Sequence, residues 1–152
     1  MEIRVDDLSG DATLGLVARH LDGMREYSPP ESVHALDAEA LRDPAVTFWS
    51  AWIDGEIAGI GALKTLDADR GEIKSMRVDD RFRGAGVGRA LLRHILAEAR
   101  ERGMTSLWLE TGTTPDFAPA QRLYESEGFR SCDPFDGYAH DPFSRFMTRR
   151  LD

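Results

Sequence analysis

The segment GEIKSMRVDDRFRGAGVGRALLRHILAEARERG, Gly71 to Gly103, constrains this chain more than any other. GEIKSMRV predicts a strand, and its period-two alternation sets Glu72, Lys74, Met76 and Val78 on one face. A helix follows from about Val87 to Arg102: Leu91, Leu92, Ile95, Leu96 and Ala99 form one apolar stripe, and Gly103 supplies the stop. Between them Gly84, Gly86 and Gly88 stand at every second position, flanked by Arg81, Arg83 and Arg89. A strand, a glycine turn and a helix N-terminus direct several backbone N–H groups at one point, where the helix dipole favours an anion. The segment therefore predicts a phosphate-binding loop.

The remaining elements arrange themselves around it. EIRV predicts a first strand. Leu14, Val17, Leu21 and Met24 have helical spacing in DATLGLVARHLDGMREY, and the prolines of SPPESVHAL end that helix. DAEALRD predicts a short helix capped by Asp37. TFWSAWID and EIAGIGALKTL read as a hairpin turning at Asp54-Gly55. MTSLWLET is a strand, and APAQRLYESEGF a helix with Pro119 in its first turn and Gly128 just beyond its end. FRSCDPF and FSRFMTRRL close the chain as strands. The order β-α-α-β-β-β-α-β-α-β-β predicts an α/β (α+β) fold: a mixed, mostly antiparallel sheet of about seven strands flanked by helices. A length of 152 residues without repeats or linkers fits a single domain, 1–152.

Composition narrows the ligand. The net charge of −8 argues against nucleic acid and anionic membranes as partners. The single cysteine, Cys132, excludes an internal disulfide and cysteine-cluster metal sites, and no metal ligand set is expected. No signal-like or membrane-spanning apolar run is present, so a cytoplasmic location is expected. A Walker loop needs a Gly-Lys pair, which the chain lacks. A dinucleotide fingerprint starting at Gly84 needs glycine where Arg89 stands, although Glu110 ends the next strand roughly where a ribose-binding acid would fall.

Arg83-Gly84-Ala85-Gly86-Val87-Gly88 matches the R/Q-x-x-G-x-G/A loop of the GNAT superfamily of N-acetyltransferases. The resemblance extends through the strand–loop–helix block to the A-x-x-L-Y-x-x-x-G-F pattern of APAQRLYESEGF, and to the order of elements. It implies acetyl-coenzyme A (acetyl-CoA) as acetyl donor, with the pantetheine arm along the backbone of Met76 and Val78. The pyrophosphate would then lie on the N–H groups of Arg83, Gly84, Ala85, Gly86, Val87, Gly88 and Arg89. It implies acetyl transfer to a primary amine of a small molecule or peptide by direct attack in a ternary complex, and admits a homodimer. Phe117 departs from the family, standing where an asparagine often contacts pantetheine.

Such a transfer needs a proton acceptor for the amine and a donor for the leaving thiolate. The resemblance makes Tyr124 the donor. Glu72, at the start of the strand beside the cofactor, is the first candidate for base, and Glu110 the second. The stiff polar segment SPPESVHAL offers Glu31 and His34 to the acceptor, with Glu110 a further contact. His20 and His94 read as boundary or surface residues, His140 as solvated. A non-catalytic acyl-CoA sensor on the same fold is the alternative reading.

Overall fold

The computed structural model describes residues 1–151. Its elements follow the expected order: β1 (Glu2–Val5), α1 (Asp11–Tyr27), α2 (Ala38–Leu41), β2 (Val46–Ile53), β3 (Glu56–Thr65), β4 (Arg70–Val78), α3 (Val87–Glu101), β5 (Ser106–Gly112), α4 (Ala118–Ser126), β6 (Arg130–Cys132) and β7 (Ser144–Arg150). The strands form one sheet in the order β1-β2-β3-β4-β5-β7-β6. Every pairing is antiparallel except β4 with β5. The β2–β3 hairpin turns at Asp54 and Gly55, whose φ of +50° and +78° are those of a type I′ turn. Asp37 caps α2 by accepting from the Ala40 N–H at 2.8 Å. Among the described residues, no helix is long and apolar enough to cross a membrane.

Each face of the sheet carries its own core. On one, α3 lays Leu91, Leu92 and Ile95, all fully buried, against Leu63, Ile73, Leu107 and Leu109. On the other, Leu16 and Val17 of α1 and Leu41 of α2 cover Phe48, Ile57, Ile60 and Ala62. His20 belongs to this buried side: it is 8 % exposed, and its Nδ1 has no partner. That corrects the expectation of a boundary residue. His20 lies four residues after Leu16 and three after Val17, on the same stripe of the helix. His94 is half-buried and packs edge-on against Trp49, with ring centres 5.5 Å apart.

Two irregularities in β4 make the site. First, β4 pairs with β5 only from Arg70–Glu72 against Ser106–Trp108; beyond that the two strands run on without pairing to each other. Second, Lys74 faces Ala62 on β3 while Arg77 faces Ile60, so three steps of β4 match two of β3. This is a β-bulge, and Ser75 within it has a φ of +57°, a left-handed conformation that costs a non-glycine residue on the order of 1 kcal/mol or more. The bulge reverses the alternation. Glu72, Lys74 and Arg77 share the α1 face with Ala62 and Ile60, whereas Ile73, Met76 and Val78 pack with the α3 core. The uninterrupted alternation expected from sequence, which grouped Glu72 with Met76 and Val78, is thus overturned.

Burial, with the Arg77 cation nearby, pushes the pKa of His20 down to about 4. The unfolded imidazole takes up its proton near pH 6.5, the folded one only near 4, so acid favours the unfolded chain between those values. Acidifying through this window should cost about 3 kcal/mol through His20 alone. Urea unfolding of wild type and His20→Met at pH 7 and pH 4.5 should show a steeper loss in wild type; parallel losses would place the imidazole in water.

Candidate active site

The loop between β4 and α3 is built from backbone. Asp79 accepts from the Arg81 N–H at 2.9 Å and starts a short 3-10 turn, Asp80–Phe82. Gly84 and Gly86 then take φ of +80° and +81°, which only glycine adopts at no cost. Gly86 is the N-cap of α3 and offers no side-chain acceptor, so the first-turn N–H groups of Val87, Gly88 and Arg89 are left for an external anion. Gly88 serves packing instead: a Cβ there would lie 3.3 Å from Leu123 and 3.4 Å from Val78. The flanking arginines are held by protein carboxylates. Arg81 pairs with Asp79 and Glu56, Arg83 with Asp80 at 2.7 Å, and Arg89 with Ser126 at 3.0 Å and Glu127 at 3.6 Å.

Across the sheet, the gap between β4 and β5 opens onto a polar cluster. Glu72, 1 % exposed, accepts from Lys74 Nζ at 3.1 Å and from the Tyr138 hydroxyl at 2.9 Å through Oε2. Lys74 also bonds the Tyr138 oxygen at 3.0 Å. A buried carboxylate is tolerated only with such compensation. Its other oxygen, Oε1, has no partner, and neither has the buried Ser75 Oγ. Unsatisfied buried groups are rare in folded proteins, and two on one strand beside a gap are groups a ligand or water would complete.

His34 and Glu110 close the cluster from opposite sides. His34 Nδ1 stands 2.7 and 2.8 Å from the two carboxylate oxygens of Glu110, which can only accept, so the Nδ1 proton points at the carboxylate. The His34 ring meets that of Tyr138 at 4.9 Å. Ser32 bonds Asp141 at 2.5 Å, so the segments after α1 and after β6 meet over the gap. Burial and the Glu72 carboxylate push the Tyr138 phenol well above its ordinary value.

The structure thus brings together Glu72, His34 and Glu110 among the expected residues, and leaves Glu31 exposed and unbonded outside the cluster. Tyr124 lies on the α3 side, 7 % exposed, with its ring 5.8 Å from Phe129; burial raises its phenol so that it stays protonated. Phe117 covers the end of β5: a Cβ on Gly112 would fall 2.2 Å from its ring. Sequence reasoning missed Tyr138 and Asp141, which sit in a loop whose return over the sheet no local pattern announces. It also missed Ser75, whose buried Oγ is unpartnered beside the gap.

The residues fit a coenzyme A thioester: an uncapped helix N-terminus behind a glycine turn, and beside it a strand edge left unpaired by the departure of β5. The profile described as Acetyltransferase (GNAT) family matches residues 15–129. An N-acetyltransferase of Bacillus subtilis named YsnE is 52% identical over 151 residues, 99% of this chain and 100% of the relative. The Escherichia coli N-acetyltransferase named YedL is 50% identical over 149 residues, 98% of this chain and 94% of its own. A Klebsiella pneumoniae structure described as an acyl-CoA N-acyltransferase superposes with a TM-score of 0.80 at 28% identity, covering 99% of this chain and 97% of that one. The chain belongs to the GNAT family and is an acyltransferase of that fold.

Removing the Lys74 cation strands a buried charge. Lys74→Met should cost about 3–5 kcal/mol in urea unfolding, and adding Glu72→Gln should return most of it. Loss of stability in the single variant without recovery in the double would mean that packing of the Lys74 stem, rather than its charge, is what matters.

Proposed function

We propose that the protein transfers the acetyl group of acetyl-CoA to a primary amine of a small molecule or peptide, by direct attack with both substrates bound. What carries this reading is the gap between β4 and β5, furnished for a donor on one face and for an amine on the other. The donor supplies an activated thioester. The N–H groups of Arg83 to Arg89 hold its pyrophosphate, apart from that of Ala85, which donates to Phe82 O at 3.2 Å, and the β4 edge at Met76 and Val78 pairs with its pantetheine arm.

Glu72, through its unpartnered Oε1 and a water, takes the proton the ammonium must lose. The amine nitrogen then forms the bond to the acetyl carbon as the carbon–sulfur bond breaks; the thiolate takes a proton from Tyr124, and the second proton lost by the nitrogen passes through water to the tyrosinate and restores the phenol. Burial keeps the Tyr124 phenol in its protonated form at neutral pH, the form a proton donor needs. His34 and Glu110 receive the acceptor from the opposite side.

Thiol release in the presence of amino acids, polyamines, aminoglycosides and peptide N-termini tests the reading. Donor binding without turnover of any amine would replace it with the sensor. Gly86→Glu puts a bulky anionic side chain at a left-handed glycine in the loop and should abolish acetyl-CoA binding in calorimetry; undiminished binding would remove the loop assignment. Tyr124→Phe should lower kcat about 10²- to 10⁴-fold at unchanged donor affinity, the range a general acid contributes, and unaltered turnover would exclude it as the acid.

A further inference from the structure

Arg77 is the one residue on the α1 face of β4 whose charge has no partner. Glu72 and Lys74 neutralise each other at 3.1 Å. The Arg77 guanidinium forms no hydrogen bond or ion pair with any described residue, although it is half-buried. The carboxylate that acts on its charge, Asp80, is already taken: Arg19 binds its Oδ2 and Arg83 its Oδ1, the latter at 2.7 Å. Three arginines therefore share one acid, in a chain whose net charge is −8.

The position is prepared rather than incidental. The bulge at Ser75 turns Arg77 toward α1 instead of α3. There α1 makes room with Gly23: a Cβ at that residue would come 2.8 Å from Nη1. Around the guanidinium stand His20, held neutral by burial, Gly23, and Tyr27 at the end of α1, where the chain leaves for the segment carrying Ser32 and His34. Arg77 lies two residues, about 7 Å of strand, beyond Ser75, whose buried Oγ is also unpartnered. A half-buried guanidinium presents a planar fork suited to a carboxylate, and such a group without an anion is an incomplete arrangement.

We propose that Arg77 binds the carboxylate of the acceptor, so that the amines this protein acetylates are those that also carry a carboxylate, as amino acids do. The proposal rests on the acetyltransferase reading and adds the acceptor's class to it. A phosphate of the donor is the other anion within the chemistry of an arginine. Arg77, however, faces α1, while the N–H groups offered to the donor cap α3 on the other face of the sheet.

The test compares amino acids with their carboxamides, which keep the amine and lose the anion. With coenzyme A present, calorimetric titration of the wild-type protein should give at least ten-fold tighter binding of the free acid, and kcat/KM should favour it similarly. Arg77→Gln should bring the two within about two-fold, by weakening the acid, with acetyl-CoA affinity unchanged. Equal binding of acid and amide by the wild type overturns the proposal. So does an Arg77→Gln variant that preserves the preference but weakens acetyl-CoA, which would assign Arg77 to a donor phosphate. If the variant does not fold, the wild-type comparison alone decides. Because binding is measured directly, absence of turnover with every amine would count against the acetyltransferase reading and leave the acid–amide comparison intact.

Discussion

The separation of β4 from β5 after Glu72 governs the rest of the molecule. Two parallel neighbours that stay paired would bury every backbone group between them and leave a continuous sheet. Here pairing stops, and the backbone edge beyond it must be satisfied by something other than β5. The bulge at Ser75 belongs to the same irregularity, because an inserted residue increases local twist and changes where the following side chains point. One strand consequently serves both faces: Met76 and Val78 anchor it to the α3 core, while Glu72, Lys74 and Arg77 carry charge to the other side.

The two faces hold charge by different means. On the α3 side the donor groups are backbone N–H, fixed by two left-handed glycines and by a cap residue with no side chain to compete. On the α1 side they are side chains whose charges are mostly cancelled among themselves. Lys74 answers Glu72, and Glu110 takes a hydrogen bond from His34 Nδ1. A site of this kind keeps its polar groups aligned in a low-dielectric setting without a large uncompensated field, and the exceptions to cancellation are where a ligand has something to complete.

Much of this was legible from local pattern. The glycine loop, the Asp54-Gly55 turn, the Asp37 cap and the Pro119–Gly128 limits of α4 each depend on residues adjacent in sequence, and each formed as expected. Glu72, His34 and Glu110 were named as candidates, though their mutual contacts were not foreseen. The bulge was illegible because Lys74-Ser75-Met76 contains no glycine to mark a left-handed residue, and alternation was extended straight through it. Tyr138 escaped notice because it reaches Glu72 across 66 residues of chain, a contact set by how the loop after β6 folds back. His20 is a different case. Its spacing from Leu16 and Val17 places it on the buried stripe, against the boundary position that the polarity of an imidazole suggests.

The bond between Ser32 and Asp141 joins chain segments 109 residues apart, one after the first helix and one before the last strand. Together with the tilted contact between the His34 and Tyr138 rings, it joins two loops on the α1 side of the gap. A molecule entering from that side has to part this seam, whereas one arriving along α3 does not touch it. The α1 side of the gap is thus bounded by a seam of a few polar side-chain contacts, and the α3 side by backbone. Substitutions in the two loops can alter that seam while the α3 side is left as it is.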